Sequence, residues 1–193
     1  TAQLNIFEEK ARSMQIENLI KISKLCDGVR VHLAHFLLTE QFTKQWKEEL
    51  KDVKPPNIEF WKDAIDKVRL NSPSFVMMAE SYGSENQSQL IECGFNYIYD
   101  KELIDHLVAH DVNGFRDLIF KNHFITDKMV HFIENHDEPR MIHRFGENPK
   151  AAMTASVALL TLPGIRLFNM QQWLGYRTQI DVNLRRAPHE ECN

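Results

Sequence analysis

The chain has 193 residues, of which 43 % are hydrophobic and 26 % charged, the profile of a folded protein with one sizeable core. That content excludes disorder. No apolar run reaches the roughly 18 residues a membrane-spanning helix needs, and a formal charge of −4 offers no electrostatic footprint for nucleic acid or an acidic membrane.

Taken in chain order, the pattern alternates between short β-type runs and helical stripes. Apolar residues from Ile6 to Ile22 predict a first helix over 5–24. Gly28 to Ala34 alternates like a strand, and residues 38–50 read as a charged helix. Pro55-Pro56 ends that stretch, Asn57 is placed to cap the next helix, and Ile58, Trp61, Ala64, Ile65 and Val68 form its buried face. Asn71-Ser72-Pro73 stops it. Ser74 to Ala79 is a continuous apolar run of strand length, as in a parallel sheet covered on both faces. A helix over 85–92 closes at Gly94, Phe95 to Tyr99 is a short strand, and helices follow at 101–109 and 113–121. Lys128 to Ile133 is the next strand. Asn148-Pro149 opens a helix that runs to Leu160, and Ile165 to Phe168 is the last strand before an irregular tail from Trp173.

About five strands alternating with helices imply parallel βαβ units. An open doubly wound sheet and part of an eight-stranded barrel both fit, and periodicity does not choose between them. The three cysteines, Cys26, Cys93 and Cys192, are odd in number and widely spaced. They read as free thiols rather than a disulfide or metal framework. With no signal segment at the visible start, they suggest a reducing, cytoplasmic setting.

In either architecture the chemistry sits at the carboxyl ends of the strands. Those ends read Arg30-Val31-His32-Leu33-Ala34-His35, then Ala79-Glu80-Ser81-Tyr82, then Glu134-Asn135-His136-Asp137-Glu138-Pro139-Arg140. An acid directly after Val-Met-Met-Ala is expected to be desolvated, which raises a carboxyl toward the range a general acid needs. The plainer alternative is a strand-end Glu80 paired with an arginine. Asn135-His136-Asp137 suits a polyhydroxylated substrate, and equally suits a turn with a helix cap. Glu134 and Glu138 read as solvated. His106 and His110 lie one helical turn apart but lack the glutamate of the HExxH zinc pattern, so they read as surface histidines.

The stretch Cys26 to Phe36 resembles the strand-four motif of the α-amylase family, glycoside hydrolase family 13. Val76 to Gly83 resembles its strand-five motif, and Phe132 to Arg140 its strand-seven motif. Phe95 to Asp100 and Leu162 to Phe168 are similar to strands six and eight, so the likeness runs over residues 3–190. It implies an α/β fold of (β/α)8 TIM-barrel type, with about five βα units, strands four to eight, forming one partial catalytic domain over residues 1–193. It further implies a retaining enzyme of α-glucosidic bonds. Glu80 is then the general acid/base, Asp137 the transition-state stabiliser, His136 a ligand of sugar hydroxyls, and Arg30 the residue that orients the nucleophile. Asn135, His35 and Tyr82 complete the substrate-binding set, with no cofactor and no metal ligands.

The departures are equally informative. The family's nucleophilic aspartate falls two residues after the arginine, and here that position is His32. A retaining glycosidase needs a carboxylate there to form the glycosyl-enzyme. Nothing in the chain resembles the first three strands. Asn169-Met170-Gln171-Gln172 stands where close relatives have His-Glu-Gly-Gln. Two functions follow: an α-amylase-type hydrolase of α-glucans impaired at His32, or a non-catalytic relative that binds α-glucan or acts as a scaffold. An unrelated doubly wound binding protein is a third, weaker reading. The implied partners are an α-glucan or oligosaccharide, and either the upstream half of a barrel or a second copy of the chain.

Overall fold

The computed structural model describes residues 3–186 and 189–190, so Cys192 lies outside the described residues. The chain divides into two compact units at Tyr99/Asp100.

In the first unit, α1 (Glu9–Ile22) leads into β1 (Gly28–Val31), α2 (Thr39–Gln45), α3 (Phe60–Asn71), β2 (Val76–Ala79), α4 (Gln87–Cys93) and β3 (Tyr97–Tyr99). The strands pair in parallel in sequential order, with Gly28 opposite Val76, Val31 opposite Ala79, and Ala79 opposite Ile98. The apolar face of α3 makes the core: Trp61, Ala64, Ile65 and Val68 are buried with Met77, Leu90, Phe95 and Ile98. Trp61 meets Phe95 edge to face at 5.2 Å, and its indole N–H donates to Ala34 O at 2.7 Å. A buried indole with its one donor satisfied is worth more than its area alone. Gly94 closes α4 in the left-handed region (φ 111°).

Three local readings change. The first strand ends at Val31 rather than Ala34, because Leu33 turns left-handed (φ 45°) and starts a 3-10 turn over Ala34–Leu37. The charged helix stops at Gln45. The cap of α3 is Glu59 rather than Asn57, and Ile58 is left exposed ahead of the helix. Glu59 is fixed there because its carboxylate accepts Thr39 N–H and the Gln89 amide, at 3.0 and 3.1 Å.

In the second unit, α5 (Lys101–Val108) and α6 (Val112–Lys121) precede β4 (Met129–His131), α7 (Met141–Arg144), α8 (Pro149–Leu160) and β5 (Ile165–Arg166). β4 and β5 are parallel, with Val130 opposite Ile165. Asp111 caps α6 through Gly114 N–H, and Asn148 caps α8 through Lys150 and Ala151 N–H. Leu103, Ile104, Leu118, Ile133, Phe145, Ala155 and Leu159 form the core of this unit. β5 is shorter than its apolar run because the Arg166 guanidinium turns back to the carbonyls of Leu160, Leu162 and Gly164. The one-turn helix α7 carries no periodic signal and is missed by the sequence reading.

Cys26 is an exposed thiol and Cys93 a buried one. Burial, with Glu59 nearby, pushes the Cys93 thiol up to about 11, which makes it inert packing. Among the described residues, no helix is long and apolar enough to cross a membrane.

Candidate active site

The parallel register of β1 and β2 continues past their ends. Glu80 N–H donates to Val31 O at 2.9 Å and Ala34 N–H to Glu80 O at 2.8 Å. This zipper carries Glu80 alongside residues 30–34, where it is fully buried. Its Oε1 accepts from Arg30 Nη2 at 2.5 Å and from the Tyr82 hydroxyl at 3.1 Å. Its Oε2 accepts the Leu33 N–H at 3.0 Å and touches His32 Nδ1 at 2.5 Å. Arg30 is steadied in turn by Tyr99, whose hydroxyl accepts from Arg30 Nε at 3.0 Å and whose ring lies 5.4 Å from the guanidinium carbon. A carboxylate has about four lone-pair positions, and this one has four partners.

The desolvation expected to raise Glu80 is present, but it does not prevail. Burial pushes the carboxyl up. The Leu33 N–H, the Arg30 charge, the Tyr82 hydroxyl and His32 together outweigh it, so the group lies below the usual carboxylate range. His35 is buried beside this cluster. Burial lowers it, against the raising effect of Glu85 and Glu80. His32 is largely exposed, with 66 % of its side chain open to solvent.

The second unit holds the other predicted residues. Asn135 Oδ1 accepts the N–H groups of both Asp137 and Glu138 at 2.9 Å, which shapes a tight turn after β4. That turn leaves His136 and Asp137 exposed, with His136 Nε2 3.1 Å from Asp137 Oδ2. The structure thus groups Arg30, His32, His35, Glu80 and Tyr82 in the first unit and Asn135, His136 and Asp137 in the second.

Glu134 overturns its solvated reading. It is buried and accepts from Arg140 Nη1 at 2.6 Å, Met141 N–H at 2.6 Å and the Asn169 amide at 3.1 Å. Buried Arg140 also reaches Met170 O and Thr178 O, each at 2.9 Å. The missed signal lay in the sequence: Glu134 follows an apolar strand just as Glu80 does, and an arginine stands nearby. A second pair went unnoticed, His131 and Asp100, both buried, with Nδ1 and Oδ2 2.9 Å apart and His131 Nε2 donating to Pro163 O at 2.8 Å. His106 is engaged with Asp111 at 2.9 Å. Among the described residues, no group of three or more His, Cys, Asp or Glu is placed to hold a metal ion.

No family model and no curated protein matches the chain. Solved structures do. An α-amylase from H. orenii superposes with a TM-score of 0.72 at 20 % identity, over 97 % of this chain and 38 % of that one. An α-amylase from Lactobacillus plantarum gives 0.70 at 21 %, over 92 % and 42 %. The cyclic α-maltosyl-(1→6)-maltose hydrolase from Arthrobacter globiformis, in complex with maltose, gives 0.70 at 15 %, over 92 % and 39 %. The chain therefore spans about two fifths of the length of these structures, and at such identities the likeness is one of fold. The chain has an α/β fold of (β/α)-barrel type, five strands with their helices, matching part of the barrel of α-amylases.

Proposed function

We propose that this chain descends from α-amylase-type glycoside hydrolases acting on α-glucosidic bonds, that it represents strands four to eight of their barrel, and that its hydrolytic chemistry is disabled at residue 32. The observation that carries this reading is the contact of His32 with Glu80 at 2.5 Å. A retaining mechanism needs a carboxylate nucleophile and, nearby, a protonated carboxylic acid. Here the nucleophile position holds an imidazole. The Leu33 N–H, Arg30 and Tyr82, with a smaller contribution from the imidazole, favour the ionised form of Glu80, which has no proton to donate. The present role is then binding: an α-glucan or oligosaccharide held at the Asn135, His136 and Asp137 turn of the second unit, with His35, Tyr82 and Arg30 as the candidate contacts within the first, in a cytoplasmic protein whose further partner is a set of barrel strands or a second copy. The exposed His136 and Asp137, free to meet sugar hydroxyls, favour this binding role.

The test uses an activated aryl α-glucoside and a maltooligosaccharide. The unaltered protein is expected to bind the oligosaccharide in calorimetry, to lose that affinity in Asp137→Ala, and to show no turnover above that of Glu80→Gln. Turnover that Glu80→Gln abolishes would sink the disabled-enzyme reading. Absence of saccharide binding would sink the binding role.

A further inference from the structure

His106 in the last turn of α5 and His110 just past its end line a cavity of about 330 Å³ bordered by α5, α6 and α8. Ala151, Ala155 and Ala158 of α8 form one wall, and their small side chains leave the space. Leu107, Phe115 and Phe145 supply the rest of its apolar lining, while Val112, 75 % exposed, stands where it opens to solvent. The cavity shares no residue with the Glu80 cluster or the Asn135–Asp137 turn, so it is independent of the saccharide reading. An engineered apolar cavity of roughly 150 Å³ already holds benzene, and natural ligand sites begin at about 300 Å³.

The polar groups around it are His106, His110, Asp111 and Thr154. Asp111 caps α6 with one oxygen, and its other oxygen meets His106 Nδ1 at 2.9 Å. Gly114 makes room for that pair, since a Cβ there would collide with Asp111 Oδ2 and His106 Nδ1. Glycine is a weak helix former, yet it stands in the first turn of α6. With Nδ1 committed to Asp111, Nε2 is the ring atom left to meet a molecule in the cavity. A hydroxyl suits Nε2 in either state of the ring: it donates to a bare nitrogen and accepts from a protonated one.

The walls select the rest of the ligand. Water is a poor occupant, because it needs two to four polar partners. A sugar is equally poor, because its hydroxyls would be buried against alanine and phenylalanine without partners. An anion would face Asp111, whose carboxyl the Gly114 N–H and His106 hold below its ordinary range. An aromatic ring can lie against Phe115 and Phe145.

We propose that this cavity is a binding site for a small neutral aromatic molecule bearing a hydroxyl group, a phenol in the simplest case, with the ring against the alanines of α8 and the hydroxyl on His106 Nε2.

p-Cresol and p-xylene, which differ by a hydroxyl in place of a methyl, test it in NMR titrations of the full chain that follow the methyl groups of Ala155 and Val112. The unaltered protein is expected to bind both saturably, with shifts centred on these residues, and maltose is expected to leave them unmoved. In His106→Phe the preference for p-cresol over p-xylene should fall about fivefold, the effect of one net hydrogen bond. Ala158→Leu fills the cavity from a helix position where leucine is a good helix former, and should abolish binding of both. Absence of saturable p-cresol binding to the unaltered protein, shifts that maltose reproduces, binding that survives Ala158→Leu, or an unchanged preference in His106→Phe would overturn the site.

Discussion

Glu80 shows how a residue's neighbours, rather than its burial, decide its chemistry. It has the desolvated seat of a general acid, and its partners still hold it ionised. The sign of the linkage follows. A carboxyl lowered in the folded state contributes stability above its unfolded range near pH 4.3, and that stability is lost as the pH falls through the folded value. Replacing His32 with aspartate removes one cation from Glu80 and brings up an anion, and both changes raise the carboxyl. In a carboxyl-carbon NMR titration, Glu80 is expected to titrate below the ordinary glutamate range in the unaltered protein and clearly higher in His32→Asp. Equal midpoints in the two proteins would show that His32 has no hold on the group. The sequence exposed this residue's position but not its charge state. Arg30, His32 and Tyr82 are adjacent in sequence to the two strand ends, whereas Tyr99 and the left-handed turn at Leu33 enter only through the fold.

At the scale of elements, end signals outperformed strand length. Asn148-Pro149 and Gly94 mark helix ends where the structure has them, because a cap is a local hydrogen bond that local sequence encodes. Strand ends were overread. Apolar character continues past Val31, His131 and Arg166, but the regular strands end there, and only single backbone hydrogen bonds such as Ala34 N–H to Glu80 O and Leu167 N–H to His131 O carry the ladders further. Glu134 was misread for a related reason, since its partners Met141 and Asn169 are set by a one-turn helix and a loop after β5. Gly164 connects α8 to β5 at φ 115°, and a Cβ there would lie 2.5 Å from Met129 O and 2.7 Å from Thr126 O. Gly164→Ala is therefore expected to cost about 2–3 kcal/mol, combining backbone strain with a clash against backbone that has little room to move. Asn148→Ala should cost about 1 kcal/mol through the lost cap. Urea denaturation of the two variants measures the difference, and an alanine tolerated at 164 as well as at 148 would contradict the close approach.

For the molecule as a whole, the order of the parallel strands was legible, because alternation of short apolar runs with amphipathic helices leaves few other arrangements. The choice between an open sheet and part of a barrel was not, and it came from resemblance and then from superposition. In the first unit β1 lies at the end of the sheet order, with β2 on one side, and Leu25 just ahead of it is 84 % exposed. Among the described residues no further strand pairs with β1, and an unpaired parallel edge beside apolar surface is a template for another strand. The protein at micromolar concentration is expected to sediment with an average mass that rises with loading concentration. A constant monomer mass over a hundredfold dilution range would show that the edge is adequately shielded by its own side chains.

The four-way grip on Glu80 also has a historical consequence. Arg30, His32, Leu33 and Tyr82 each take part of their support from the same carboxylate, so their contributions are coupled rather than additive. Under the proposed descent, a change at one of these sites lets the other three settle around the ionised glutamate, and a carboxylate returned to residue 32 alone meets surroundings fitted to the imidazole. Coupled partners of this kind make a substitution easier to fix than to undo.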